Sequence, residues 1–368
     1  MFPDNENGFS DKRVAWSLRI VRQSSIENDI YMKIFDCFIF FNELDLLELR
    51  LSVLDECVDY FVIVESAITF QGENKEYLFE KNRSRFAKFE KKIIHFKVEK
   101  YELDFANLPY IAAPKSNDDK ILNSIYRHID DCPHFDKQKE FWWGNDFYQR
   151  ECIRRALSVA HPASDDLILL SDVDEIPNPE TIIKIKEDMP ATSLICLRQH
   201  EFCYYLNYYH NSDWVGTCCF LYGGFSDVSL NAIRFCTKRD EGFPSQIVNN
   251  GGWHFTSIGS VDAIKKKIKS WGHREFNTGA VLSGVEYNVR HGYDIFRRQG
   301  FGKLKYLPLE HTLMPSILVD FKRSFVHLIG PEIEQETFIQ QVFFTYYYKI
   351  RSKFNYLFTK FKFLVFLS

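Results

Sequence analysis

The sequence predicts an α/β fold, a sheet with helices on both of its faces, on three observations. Short apolar runs bounded by polar residues recur along the first half of the chain and read as buried strands. Amphipathic stretches of helical period separate them, which is the order a βαβ sheet requires. An acidic cluster, Asp172-Val173-Asp174-Glu175, follows directly on one of the runs. Ligand sites of open α/β sheets lie just beyond such strand ends.

The elements follow in order. Ile34-Phe35-Asp36-Cys37-Phe38-Ile39-Phe40 reads as the first strand and leads into Asn42-Glu43. Leu44, Leu47, Leu51 and Leu54 then recur at spacings of three and four, with Leu46, Leu49 and Val53 widening the apolar face of a helix. Residues 60–64 form a second buried strand that ends at Glu65-Ser66, and 93–98 a third. Residues 101–140 carry Pro109, Pro114 and Pro133 and read as an irregular connection. A helix over 141–160 precedes the strand at 167–171, and Pro179 opens the next helix as its first residue. Residues 193–236, rich in aromatics such as Phe202, Tyr204, Tyr208 and Trp214, read as antiparallel strands building a pocket wall. Gly251-Gly252-Trp253-His254-Phe255 reads as a tight turn before a helix over 261–271. This gives a flexible lead over 1–30, one catalytic domain over 31–310 and a tail over 311–368.

Composition narrows the function. A net charge of −4 supplies no general field for a nucleic-acid partner. Nine cysteines without a C-x-x-C pair read as reduced thiols. The first 30 residues lack an apolar signal or anchor segment, so the expected location is the cytoplasm or the cytoplasmic face of a membrane. A Golgi-type location is expected only if an anchor is missing from this chain. From Phe338 to Phe366 the tail mixes aromatics with Lys349, Arg351, Lys353, Lys360 and Lys362. That composition suits a helix lying in a membrane interface, and equally a terminal helix packed on the domain.

In an extended segment residues i and i+2 point the same way, so Asp172 and Asp174 can present their carboxylates together. Paired oxygen anions suit a hard divalent cation carrying a diphosphate. The same residues also read as an ordinary acidic turn, with Asp174 or Asn178 as a helix cap.

Four blocks taken together resemble glycosyltransferase family 17, the family of β-1,4-mannosyl-glycoprotein 4-β-N-acetylglucosaminyltransferase. They are Asp36 to Leu51; Val58 to Ser66 with Thr69-Phe70 and Lys75; Asp172 to Pro177; and Gly252-Trp253-His254-Phe255 with Lys267, Trp271, His273, Glu275 and Phe276-Asn277 after it. The resemblance implies a GT-A type fold with a mixed, mostly parallel central sheet. It also implies a nucleotide-sugar donor such as UDP-GlcNAc, a glycan acceptor, Mn²⁺ or Mg²⁺, and inversion at the anomeric carbon.

On that footing Asp174 is the expected metal contact, and Asp172 is expected to reach the metal, a bound water or the ribose. His254 or His273 would add an imidazole that favours Mn²⁺. Glu275 is the expected general base, with Asp240 and Glu241 behind it. Asn42, Glu43, Glu65 and Lys75 are expected around the nucleotide, Arg150 at the diphosphate and Trp253 against a ring. Each has a plain alternative: Glu43 as a helix-start carboxylate, Arg150 on a solvated helix face, Trp253 in the core, His254 bonded to a carbonyl. Two other classes share the cluster, a metal-dependent nucleotidyltransferase or phosphohydrolase and a non-catalytic carbohydrate-binding protein.

Overall fold

The structure is a computed structural model and describes residues 32–101, 109–131, 142–190, 193–225, 228–236, 245–270 and 276–340, with 342 and 346. Strand β1 (Ile34–Phe40) is followed by helix α1 (Leu44–Leu54), β2 (Tyr60–Ser66), the short α2 (Leu78–Lys81) and β3 (Ile93–Val98). Helices α3 (Asn117–Asp131) and α4 (Trp142–Ala160) lead to β4 (Leu167–Asp172), β5 (Glu175–Pro177) and α5 (Pro179–Glu187). Then come β6 (Leu194–Cys203), β7 (Tyr208–Leu221), α6 (Leu230–Cys236), β8 (Ser245–Val248) and β9 (Gly252–Thr256). Helices α7 (Val261–Ser270) and α8 (Gly279–Arg290), strand β10 (Lys305–Tyr306) and the short α9 (Ile317–Asp320) complete the described chain.

One mixed sheet runs in the order β3-β2-β1-β4-β7-β6-β9-β5, with β8 also paired to β6 and β10 to β7. The first four strands are parallel, so β1, β2 and β4 end at one edge; Ile39 pairs with Asp172 and Phe40 with Glu65. Strand β7 joins β4 antiparallel and turns the sheet into its second half. Together with its flanking helices this is the α/β architecture that the strand runs predict, and it agrees with the GT-A type fold.

Alternation along the strands explains the two layers. Phe35, Cys37, Val62, Val64, Ile168 and Leu170 face Ile121 and Ile125 of α3 and Phe147, Ile153 and Leu157 of α4. Ile34, Phe38, Phe40, Phe61, Ile63 and Leu169 face Leu47, Leu51 and Leu54 of α1 and Ile182 of α5. Adjacent Cys218 and Cys219 are split between the two layers as buried thiols. A third cluster joins Leu46, Ile176, Phe202 and Phe255 to Met314, Leu318, Phe325 and Leu328.

Three local expectations are corrected. Helix α3 lies inside the stretch read as irregular, its Ile121 and Ile125 four residues apart on the face that packs on α4. Helix α6 ends the stretch read wholly as strands. The Gly251-Gly252 segment opens strand β9 instead of a turn. Gly252 has φ +126°, and a Cβ there would stand 2.1 Å from the carbonyl oxygen of Ile176. The glycine thus serves the close approach of β9 to β5.

Candidate active site

The acidic cluster is held from beneath by a buried arginine. Arg50 on α1 has no solvent exposure and forms two bonds to Asp36 of β1, Nε to Oδ2 at 2.7 Å and Nη2 to Oδ1 at 2.6 Å. The rest of the guanidinium donates to Ser171 Oγ at 2.5 Å and to the backbone carbonyls of Asp172, Val173 and Glu175 at 2.9, 3.3 and 2.9 Å. The planar five-donor fork thus clamps the turn between β4 and β5. The Phe255 amide, donating to the Asp174 carbonyl at 2.8 Å, ties the same turn to β9.

Above the clamp, each carboxylate faces cations. Asp172, whose side chain is 34 % exposed, receives Arg150 Nη2 at Oδ1 (3.2 Å) and Arg234 Nη2 at Oδ2 (3.1 Å). Glu175 is buried and accepts from Arg234 at 2.9 Å, from the Trp214 indole at 2.9 Å and from the Asp172 amide at 3.0 Å. It therefore braces the motif from behind. Asp174 is 13 % exposed; its nearest cation is Lys267 Nζ at 3.5 Å, with the His254 Nε2 at 4.0 Å. Burial, with the charges of Asp172 and Glu175, pushes the Asp174 carboxyl above its usual range against the pull of Lys267 and His254. Burial opposes the charge on Lys267, but Asp174 and Glu43 outweigh it and its pKa is raised.

The carboxylates open onto a cleft of about 200 Å³ at the C-terminal ends of β1 and β4. Phe41, Phe70, Trp142 and Trp143 supply aromatic walls, and Glu43, Asp146, Arg150 and Lys267 supply charge. Gln149 lies in its floor, donating to the Val64 carbonyl at 3.0 Å. Trp142, Trp143, Asp146, Gln149 and Arg150 recur along α4 at helical spacing, so one face of that helix forms much of the cleft.

The residues singled out in the sequence separate into three groups. Asp172, Asp174, Glu43 and Arg150 line the cleft, and His254 reaches Asp174 from β9. Asn42, Glu65, Lys75 and Trp253 are not among its lining residues. Glu65 is fully buried and accepts from Lys75 at 3.1 Å, from the Leu78 and Phe79 amides at the start of α2, and from His95 at 3.1 Å. Trp253 sits in the third core cluster with its indole donating to the Leu313 carbonyl at 2.7 Å. Asn42 precedes α1, its amide donating to Glu43 Oε2 at 2.9 Å. His273, Glu275, Asp240 and Glu241 lie outside the described residues. Arg234, Asp146, Trp142 and Trp143 were given no role from the sequence, and Arg50, Phe41 and Phe70 appear there only within the family-like blocks; the helical spacing along α4 carried a readable signal for the α4 members.

The donor set suits a divalent cation. Asp174 is a largely buried carboxylate paired with Lys267 at 3.5 Å, and the His254 imidazole 4.0 Å away places a nitrogen beside its oxygens. A second grouping, Glu201, Cys203 and His210, brings one ligand atom each within 4.8 Å of one another. Its members are already engaged: His210 meets Glu201 Oε2 at 2.5 Å through Nδ1 and the Phe301 carbonyl at 2.5 Å through Nε2. Burial raises the Cys203 thiol well above its ordinary value.

Burial also acts to raise the Glu201 carboxyl, but the hydrogen bond from His210 and the nearby His254 imidazole win and hold it at about 2. Its stabilisation is complete above the unfolded value near 4.5 and is lost as pH falls through about 2. The shift corresponds to about 3 kcal/mol. Urea unfolding from pH 5 to pH 2 should therefore show a shallower acid loss in Glu201→Gln than in the parent. Parallel curves would contradict this.

Among solved structures the chain is similar to a crystal structure of 4-diphosphocytidyl-2C-methyl-D-erythritol synthase, at 12 % identity and a TM-score of 0.32, over 60 % of this chain and 90 % of that one. No curated protein matches. The model of glycosyltransferase family 17 matches residues 21–131 and 115–296, which span well over half of the sequence and include the Arg50 clamp, the acidic cluster and His254. The chain belongs to glycosyltransferase family 17.

Proposed function

We propose that the protein is an inverting, metal-dependent glycosyltransferase that moves N-acetylglucosamine from UDP-GlcNAc onto a glycan acceptor. One observation carries the reading: carboxylates, cations and aromatic walls converge in one cleft at the ends of parallel strands. Aromatic faces suit a nucleobase or a sugar ring, and arginine suits phosphate oxygens. Asp174 and His254 would hold Mn²⁺, or Mg²⁺ more weakly, with Asp172 beside them. A bound divalent cation neutralises the leaving diphosphate. Arg150 and Lys267 would draw the same oxygens, and Glu43 would meet a ribose hydroxyl. Glu275 is the proposed base for the acceptor hydroxyl, with Asp240 and Glu241 as the next choices.

Arg150→Leu should raise KM for the donor about tenfold or more, as expected for removing a charged hydrogen bond worth about 1.5–3 kcal/mol. Steady-state kinetics with UDP-GlcNAc check this, and an unchanged KM removes Arg150 from the donor site. Release of UDP in the presence of acceptor tests the reaction itself. A nucleotidyltransferase or phosphohydrolase would instead consume nucleoside triphosphates, and a carbohydrate-binding protein would consume nothing.

Peripheral membrane contact belongs to the same proposal. Phe338 and Ile339 are each 79 % exposed and Tyr346 is 65 % exposed. The sequence beyond them carries Lys349, Arg351, Lys353, Lys360 and Lys362 and no acidic residue. Apolar side chains beside basic ones favour an anionic bilayer surface. No helix among the described residues is long and apolar enough to cross a membrane. The full chain should float with vesicles containing phosphatidylglycerol and not with pure phosphatidylcholine. Flotation with neither contradicts the contact.

A further inference from the structure

His254 is flanked by Trp214, by Glu175 of the acidic cluster and by Glu201, a residue that no sequence motif marks. Its ring lies against the Trp214 indole, with centroids 4.1 Å apart and planes at 21°. That indole is itself pinned by its bond to Glu175 at 2.9 Å. Strand pairing sets the edges: His254 of β9 stands opposite Glu175 of β5 on one side and Glu201 of β6 on the other. Nε2 therefore faces Asp174 at 4.0 Å, while Nδ1 faces Glu201 Oε1 at 3.6 Å. The second distance is longer than a hydrogen bond. Nδ1 is nevertheless buried and has no hydrogen-bond partner, and Glu201 Oε1 is the carboxylate oxygen it faces. The other Glu201 oxygen is committed to His210 at 2.5 Å and to Asn211 at 3.3 Å, which holds the carboxylate in place.

We propose that Glu201 is a positioning residue that accepts a hydrogen bond from the Nδ1–H of His254, so that the Nε2 lone pair is directed at Asp174 and the two form an oxygen–nitrogen site for a divalent cation. The inference rests on the metal-dependent reading of the cleft and assigns the residue that sets its nitrogen ligand. The physical reason is tautomeric. A neutral imidazole has one N–H and one lone pair, and the hydrogen bond made by one nitrogen decides which edge can bind a metal. Without an acceptor at Nδ1 the proton is free to sit on Nε2, facing Asp174, and the ligand edge is lost. Trp214 confines the ring plane and Glu201 selects the edge.

The direct test is a Mn²⁺ titration in the presence of UDP, followed by the electron paramagnetic resonance signal of free Mn²⁺. The parent, Glu201→Gln and Asp174→Asn are compared, and metal-free UDP affinity and circular dichroism are recorded for each. A glutamine turned by His210 presents its NH₂ to Nδ1, so Glu201→Gln should weaken Mn²⁺ binding by about 10–100-fold. Its metal-free UDP affinity should stay unchanged. Equal Mn²⁺ affinity in parent and Glu201→Gln overturns the role of Glu201 while leaving the metal site standing. A parent that binds no Mn²⁺ overturns both. If Glu201→Gln does not fold, the unmodified protein decides the question through its ¹⁵N-histidine spectrum at a pH where His254 is neutral. A protonated Nδ1 with bare Nε2 supports the assignment, and the opposite tautomer sinks it.

Discussion

Arg50→Ala should lose about 3–5 kcal/mol of folding stability, the range expected when one partner of a buried ion pair is removed. Asp36 is its fully buried partner and would be left without a counter-charge. The carbonyls of Asp172, Val173 and Glu175 would lose their donor at the same time. Buried acceptors left unpaired carry most of the cost of such a change. Turnover should fall with stability, because the guanidinium sets the backbone on which both aspartates stand. Arg50→Lys should recover only part of the loss, since an ammonium cannot reproduce the fork that meets Asp36 at two oxygens. Urea denaturation of the three proteins provides the comparison. A loss below about 1 kcal/mol in Arg50→Ala, the scale of an exposed ion pair, would show that the clamp is not formed as described.

Asp174→Asn separates activity from stability in the opposite direction. Removing the carboxylate proposed to bind the metal should lower turnover by about 10²–10³-fold, the usual loss on deleting one group that stabilises developing charge. Stability should not follow. The folded Asp174 binds its proton more readily than the unfolded residue, so folding stability falls as pH rises through that interval. At neutral pH the ionised group is therefore a net cost to the fold, and its neutral isostere relieves that cost. The relief would appear as a small rise in the metal-free Tm. Active sites commonly hold such groups at the expense of stability. Calorimetry without added metal, beside initial rates with it, measures both effects. A variant that melts well below the parent would place Asp174 in a structural role.

The strands that carry the site were legible because burial on both faces leaves a continuous apolar signature. β1, β3 and β4 fall within a residue of their expected limits, and β2 runs on through Glu65 and Ser66. Three prolines hid α3, whose few apolar positions are spaced for a single narrow contact with α4. The glycine pair before Trp253 was misleading for a physical reason: glycine marks close backbone approach as readily as it marks a turn. Within the site, the acidic cluster was readable from its place after a buried strand. Its supports were not. Arg50 and Asp36 lie 14 residues apart on a helix and a strand, and in the sequence each looks like an ordinary surface charge. Arg234 meets the motif, and Glu201 meets His254, only through the folding back of β7, β6 and β9, a register that no local pattern encodes. Trp253, for which the sequence offered both ring stacking and core packing, lies in the third core cluster.

Binding of UDP-GlcNAc, titrated calorimetrically with and without Mn²⁺ in the parent and in Asp174→Asn, tests most directly whether this cleft is a cation-dependent donor site. Binding by the parent should tighten at least tenfold with Mn²⁺, and that gain should vanish in Asp174→Asn while the metal-free affinity persists. No binding by the parent, or an equal Mn²⁺ effect in both proteins, would contradict it.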